Sequence, residues 1–133
     1  MSTDYAIESQ GLSKRFGKAV AVDNVTFAVE AGEIFGFMGH NGAGKTTTLR
    51  MLLGLTLPTA GTARVLGHDI RGGGHEVFSV RQATGYLPAS YTLPPHMTAR
   101  QFLHYVGAMF SLPDDLPREE AARLSAEHAW AVG

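Results

Sequence analysis

A glycine-rich loop with a single lysine follows directly on a short apolar run, and this junction constrains the fold more than any other part of the chain. The run is EIFGFM at 33–38, and the loop is GHNGAGKTTT at 39–48. A short, nearly continuous apolar run is typical of a strand that is buried on both faces. Leucines at helical spacing then predict a helix from Gly44 to about Gly54. The sequence therefore predicts a strand, a loop and the start of a helix in direct succession.

The loop matches the pattern Gly-x-x-x-x-Gly-Lys-Thr at Gly39, Gly44, Lys45 and Thr46. The free N–H groups and the dipole at a helix N-terminus favour a phosphate group, and glycines allow the backbone to approach it closely. Lys45 can reach the β- and γ-phosphates, and the Thr46 hydroxyl can ligate Mg²⁺. The alternative is a glycine-rich turn that carries a lysine by chance, and the flanking strand and helix argue against it. The loop therefore predicts binding of a nucleoside triphosphate with Mg²⁺.

The order of the other predicted elements indicates an α/β chain with an early antiparallel section. Alternating apolar residues predict strands over 5–12 and over 20–32, the second interrupted by an Asp-Asn pair. Thr98 and Gln101 match a capping box at the start of a later helix. Further strands are predicted over 62–66 and 84–88, and further helices over 77–83, 98–111 and 117–132.

The composition excludes several classes of function. Hydrophobic residues make up 44% of the 133 residues, which indicates a folded chain of at most one domain. The net charge of -1 suggests no basic surface, so no nucleic-acid partner is expected. The absence of cysteine excludes a disulfide framework and thiolate chemistry. The polar start is not a signal peptide, and the apolar stretches fall far short of the roughly 20 residues of a bilayer span. We therefore expect a cytoplasmic chain that reaches a membrane only through a partner.

The stretch GHNGAGKTTTLRMLLGLTLPTAGTARVLGHDI resembles the nucleotide-binding subunits of ATP-binding cassette (ABC) transporters. The resemblance continues upstream in LSKRFGKAVAVDNVTFAVEAGEIFGFMG and downstream in TGYLPASYTLPPHMTARQFL, so it covers most of residues 5–115. It implies an α/β P-loop NTPase fold of the ABC ATPase type, in which an N-terminal antiparallel β section joins a RecA-like core. In finer detail the chain resembles the subunits of multidrug or antibiotic exporters.

The resemblance also implies which residues bind ATP and Mg²⁺. Phe16 stands where the family has an aromatic residue that stacks on adenine; the alternative is a core residue of the first strand pair. Thr47 would donate its N–H or its hydroxyl to the α-phosphate. His40 stands where proline is usual, at a position that needs no special side chain. The implied nucleotide-binding residues are Phe16, Gly39, His40, Asn41, Gly42, Ala43, Gly44, Lys45, Thr46 and Thr47, with Thr46 as the Mg²⁺ ligand.

Residues that this family uses for hydrolysis are missing from the sequence. Ala89 stands where the family usually has a glutamine, sometimes a glutamate, that helps hold Mg²⁺ and the attacking water. No apolar run ends in Asp-Glu, and there is neither an L-S-G-G-Q-like signature nor the later switch histidine. By the resemblance, residues 1–133 are a partial nucleotide-binding domain, about its N-terminal half, with no complete catalytic set. We expect marginal folding and little or no ATP hydrolysis from this chain.

Three functions stay open on the sequence. The leading hypothesis is an ATP-binding subunit that energises transport through a separate membrane-spanning subunit, paired with a second nucleotide-binding subunit at the inner face of the membrane. The second is a non-catalytic fragment that binds only nucleotide or a partner. The third is another P-loop enzyme, but the N/T-K-x-D motif of GTPases is absent and the later arginines are too scattered for the lid of a kinase.

Overall fold

The computed structural model describes residues 4–90, 92, 94–109, 111–112 and 129–132. In this part of the chain, a long hairpin is followed by helices that alternate with shorter strands. No helix in these residues has both the length and the apolar character needed to cross a bilayer. The elements are β1 (Tyr5–Phe16), β2 (Ala19–Glu30), α1 (Lys45–Leu52), β3 (Ala60–Val65), β4 (His68–Asp69), α2 (Gly74–Gln82), β5 (Thr84–Leu87), α3 (Ala99–Met109) and β6 (Ala129–Val132).

Four strands form one antiparallel sheet in the order β2-β1-β3-β4, which confirms the predicted antiparallel section. β1 pairs with β2 along its length and ends with Phe16 opposite Ala19. The polar interruption in the sequence does not end β2. Instead Asn24 and Gly11 take positive φ angles of 52° and 59°, and the Gly11 N–H donates to the Thr26 hydroxyl at 2.9 Å. The register of β1 against β2 shifts on both sides of Leu12. Such a bulge lets both strands continue past the Asp-Asn pair.

The core lies between the sheet and the helices α1 and α2. Leu12 on β1, Met51 on α1, Ile70 after β4 and Val80 on α2 are fully buried in one cluster. Burial of side chains of this size stabilises the fold by about 1.5 to 3 kcal/mol each. The helix that follows the glycine loop is therefore anchored on the sheet by its apolar face.

The C-terminal end of α1 is also held by a side chain from α2. Arg81 donates from Nε to the carbonyl oxygen of Leu53 at 3.1 Å and from Nη2 to that of Gly54 at 2.7 Å. These carbonyls follow the last turn of α1, where a positive charge complements the helix dipole. Arg81 thus ties the C-terminal end of α1 to α2.

The predicted strand EIFGFM is wrong, since this segment forms no strand in the structure. Ile34 is 100% exposed and Met38 is 94% exposed. Phe35 and Phe37 turn the other way, and each ring centroid lies 5.5 Å from that of Phe27 on β2. The segment therefore keeps the alternation of an extended chain, with Phe35 and Phe37 on the side of β2, although Phe35 is still 41% exposed. A strand also needs backbone partners, and the described residues pair no strand with this segment.

The later part of the chain confirms one predicted helix and corrects another. α3 confirms the helix predicted over 98–111, with its capping box formed: the Thr98 N–H donates to Oε1 of Gln101 at 2.8 Å, and the Gln101 N–H to Oγ1 of Thr98 at 3.3 Å. The helix predicted over 117–132 is wrong at its end, which forms β6 parallel to β5. A short apolar run fits either state, and pairing with β5 supplies the backbone partners of a strand. Residues 117–128 of that predicted helix lie outside the described residues.

Candidate nucleotide-binding site

The start of α1 presents backbone N–H groups that no side chain caps. Gly44 is the N-cap residue with a left-handed backbone (φ 91°), and the first turn contains no acidic residue. Gly42 also has a positive φ of 86°, and the Ala43 N–H donates to the carbonyl of His40 at 3.0 Å, which closes a tight turn ahead of the helix. An anion that approaches this helix start therefore meets free donors and no carboxylate in the first turn.

The side chain of Lys45 lies back across the loop that precedes it. Its Nζ donates to the carbonyl oxygens of Gly39 and His40, the latter at 2.9 Å. This places a positive charge on the loop, held only by neutral acceptors. A phosphate oxygen in the loop would replace these neutral carbonyls with a negatively charged acceptor, so that both partners of the hydrogen bond carry a charge.

The other predicted loop residues surround this lysine. Thr46 is exposed in the first turn of α1, and Thr47 is half-buried. Asn41 is exposed, and its carbonyl oxygen lies 2.8 Å from Nδ1 of His40, which donates to it. The imidazole therefore lies along the loop itself, at the position where the family usually has a proline.

Gly44 packs directly on β2, so its lack of a side chain determines where the loop lies. A Cβ atom on Gly44 would collide with the carbonyl group of Ala21 and lie 3.0 Å from Cγ2 of Val22. Backbone atoms of a paired strand cannot rotate away as a side chain can. Only glycine allows the loop to approach the sheet this closely.

We predict that Gly44→Ala weakens Mg·ATP binding at least about tenfold more than Gly42→Ala, a difference of 1.4 kcal/mol. Both positions have positive φ angles, 91° and 86°, so the two variants share the backbone strain. Only Gly44 adds a collision, because a Cβ at Gly42 has nothing within 4 Å. Calorimetric titration of the two variants measures the difference. Equal losses of affinity would show that the contact with β2 does not position the loop.

Phe16 ends β1 with its ring in solvent rather than in the core. The side chain is 55% exposed, which argues against the alternative interpretation as a core residue. Nζ of Lys14 lies over the ring, 5.0 Å from its centroid. An exposed aromatic ring of this kind is available for stacking on a flat partner.

The ring of Phe16 and the glycine loop lie at the same end of the β1–β2 hairpin. Phe16 pairs with Ala19, and three residues further along β2 Val22 lies against Gly44. Three residues of strand span about 10 Å. A ligand with a flat ring at one end and phosphates at the other could therefore contact both features.

The sequence interpretation missed Lys14, which is not part of the glycine-loop motif. The signal was present, because residues two apart on a strand lie on the same face. Lys14 therefore shares the face of β1 that carries Phe16. What the sequence did not reveal is the second contact of Lys14, a hydrogen bond of 2.7 Å to the carbonyl of Leu57, 43 residues away.

An α/β chain with a glycine loop and a lysine at the start of a helix, packed on an antiparallel sheet, is a P-loop protein. Its sequence matches the ABC transporter family over residues 22–131. The chain therefore belongs to the ABC transporter family.

Two curated relatives show what the chain is similar to. It is 40% identical over 119 residues to the probable multidrug ABC transporter ATP-binding protein YbhF of Escherichia coli, an alignment that covers 90% of this chain and 20% of that protein. It is 45% identical over 104 residues to the Nod factor export ATP-binding protein I of Ralstonia nicotianae, covering 78% of this chain and 32% of that protein. The matched part is thus a fifth to a third of these relatives.

Solved structures confirm the predicted fold class. The structure of an ATP-binding subunit of an ABC transporter matches with a TM-score of 0.67 and 29% identity, over 89% of this chain and 46% of that chain. The ATP-binding cassette MJ0796, solved as a dimer bound to ADP and Pi, matches with a TM-score of 0.68 over 88% of this chain and 53% of that chain. Its identity of 23% supports the fold alone. The fold is the P-loop fold of ABC ATPases, present in part.

Proposed function

We propose that this chain is the ATP-binding part of an ABC transporter subunit and that it holds Mg·ATP at the loop 39–47. The uncapped start of α1, with Lys45 across the loop ahead of it, is the observation that carries the proposal. A triphosphate presents several charged oxygens. The helix start offers N–H donors for them, and Lys45 offers a mobile positive charge.

Six further residues of the site have a role in this proposal. The N–H groups of Asn41 and Gly42 surround the phosphates, the N–H of Ala43 joins them when it leaves the carbonyl of His40, and Thr47 donates to the α-phosphate. The exposed Thr46 hydroxyl ligates Mg²⁺, which neutralises part of the charge on the β- and γ-phosphates. Phe16 stacks on the adenine, so that base and phosphates are held at two points of one hairpin end.

The relatives support a role in export. YbhF is named for multidrug transport and the Ralstonia protein for Nod factor export. We propose that this chain likewise serves an exporter, through a separate membrane-spanning subunit at the inner face of the membrane. A second nucleotide-binding subunit would complete the unit, as the family resemblance implies. The coverage of 46% and 53% of the solved chains supports assigning 1–133 to about half of a nucleotide-binding domain, and the family resemblance implies that it is the N-terminal half.

Ala89 favours a second candidate, in which the chain binds nucleotide without hydrolysing it. The residue is exposed in a bend after β5, and its methyl group can hold neither a metal ion nor an attacking water. We expect no steady phosphate release above background from the purified chain with Mg·ATP. Turnover that disappears in Lys45→Ala would contradict this candidate and support the ATPase.

Thermal unfolding with and without ligand tests the proposed function. The purified chain is unfolded alone, with Mg·ATP and with Mg·GTP. A ligand that binds only the native state raises the free energy of unfolding by about 2.7 kcal/mol at a hundredfold excess over Kd. We expect a cooperative transition that Mg·ATP shifts upward more than Mg·GTP. No cooperative transition, or one that neither nucleotide shifts, would contradict the proposal.

A further inference from the structure

The side chain of Lys14 joins the exposed ring of Phe16 to the turn that follows α1. Its Nζ lies 5.0 Å from the centroid of the Phe16 ring and donates to the carbonyl oxygen of Leu57 at 2.7 Å. The ammonium group is therefore held at both sides, by a carbonyl and by the face of an aromatic ring. A cation in this position is attracted to the negative face of the ring.

The turn that contains Leu57 is itself fastened to β1. The Thr59 N–H donates to the carbonyl of Ser13 at 2.8 Å, and the Arg15 N–H donates to the Thr59 hydroxyl at 3.0 Å. Both bonds involve residues next to Lys14 along the strand. Leu57 is therefore a fixed acceptor, and the direction of the Lys14 side chain does not depend on a loosely held loop.

A flat ring has two faces, and in Phe16 one of them is covered by this ammonium group. The ring is nevertheless 55% exposed, so the other face remains open. The free side chain of a phenylalanine at the end of a strand can adopt several rotamers. The attraction between Lys14 and one face favours the rotamer that presents the opposite face outward.

We propose that Lys14 is a positioning residue that orients the ring of Phe16 and thereby raises the affinity of the site for the purine base. The inference rests on the proposed function, because it assigns the means by which the same site holds the base. It also gives the turn after α1 a role in nucleotide binding, since that turn supplies the carbonyl that anchors Lys14.

A merely structural role of Lys14 makes a different prediction. If Lys14 only fastened the turn to β1, its loss would lower the stability and disturb α1, and with it the loop that binds phosphates. Affinity would then fall alike for every ligand with a triphosphate. If Lys14 positions the ring, only ligands with a base are affected, so comparing ATP with inorganic tripolyphosphate separates the two roles.

The test measures Kd for Mg·ATP and for Mg·tripolyphosphate by calorimetry in the wild type and in three variants. Lys14→Met keeps the length of the side chain without its charge, Lys14→Arg keeps a cation that stacks on aromatic rings, and Lys18→Met removes the same charge from the exposed hairpin turn. We expect Lys14→Met to weaken Mg·ATP binding about two- to fivefold and to leave tripolyphosphate unchanged. Lys14→Arg should retain the affinity for Mg·ATP, and Lys18→Met should match the wild type for both ligands.

Repeating the Lys14 substitution in a variant without the Phe16 ring tests whether the effect of Lys14 acts through that ring. In Phe16→Leu, the further change Lys14→Met should have no effect on Mg·ATP. The inference would be overturned if Lys14→Met lowered the affinity equally for both ligands or left the affinity for Mg·ATP unchanged. It would also be overturned if Lys14→Met lowered the affinity for Mg·ATP equally in Phe16→Leu. Each of these results would leave the proposed function in place. If the wild type binds neither ligand, the proposed function fails and this inference fails with it.

Discussion

Lys45→Ala is expected to lower the affinity for Mg·ATP on the order of 100-fold, the largest effect on binding that we predict. The Nζ group lies on the loop and donates to the carbonyls of Gly39 and His40. In the complex we expect it to donate to phosphate oxygens instead. Each hydrogen bond to a charged group contributes about 1.5 to 3 kcal/mol, and an alanine replaces none of them.

The matched control for this prediction is Lys18→Ala, which removes the same charge from the exposed turn between β1 and β2. Calorimetric titration with Mg·ATP and with Mg·tripolyphosphate should show the loss for both ligands in Lys45→Ala and for neither in the control. The unfolding midpoint of Lys45→Ala without ligand should change little, because its hydrogen bonds join only neighbouring loop residues. Similar affinities for the two variants would contradict the assignment of the loop as a phosphate site.

Gly61→Ala is expected to destabilise the chain by about 3 kcal/mol, the largest effect on stability that we predict. Gly61 on β3 has a φ of 78°. A Cβ atom there would collide with the carbonyl group of Gly11 and lie 2.6 Å from the N atom of Leu12. These are backbone atoms of the central strand β1, at its bulge. Relief of the collision requires β1 and β3 to separate, which disturbs the sheet on which the core is built.

Gly67→Ala is the control that isolates this collision from backbone strain. Gly67 has nearly the same φ, 81°, but a Cβ on it has nothing within 4 Å. The control should therefore cost only the strain of a left-handed alanine, about 1 to 2 kcal/mol. Urea unfolding followed by circular dichroism measures both variants. Equal midpoints would show that the contact between β1 and β3 at Gly61 does not limit stability.

Local patterns predicted the parts of the chain whose structure depends on near neighbours. The helix after the glycine loop, the antiparallel hairpin and the capping box of α3 all follow from spacing and from side chains within a few residues. The phosphate-binding character of the loop is of the same kind. It depends on glycines at two positive φ angles and on a lysine at the start of a helix, all within residues 39–47.

The predictions that failed depend on partners far away in the sequence. The run EIFGFM is as apolar as a buried strand, yet it pairs with no strand among the described residues, and Ile34 and Met38 are exposed. A strand forms only where a second backbone lies beside it. The end of the predicted helix over 117–132 became a strand because β5 offers it such a backbone. A hydrophobic pattern alone does not indicate whether a neighbouring strand is present to pair with the segment.

The sequence by itself determined the class of the protein and the chemistry of the loop, because both are written in contiguous residues whose local geometry needs only glycine, lysine and threonine in a set order. The tertiary structure alone decided how that loop is held and what surrounds it. Gly44 rests on the backbone of Ala21, and Lys14 reaches Leu57 across 43 positions. Such contacts arise only when the sheet and the helices pack together, since side chains and backbone groups distant in sequence are brought within bonding distance by burial of the core.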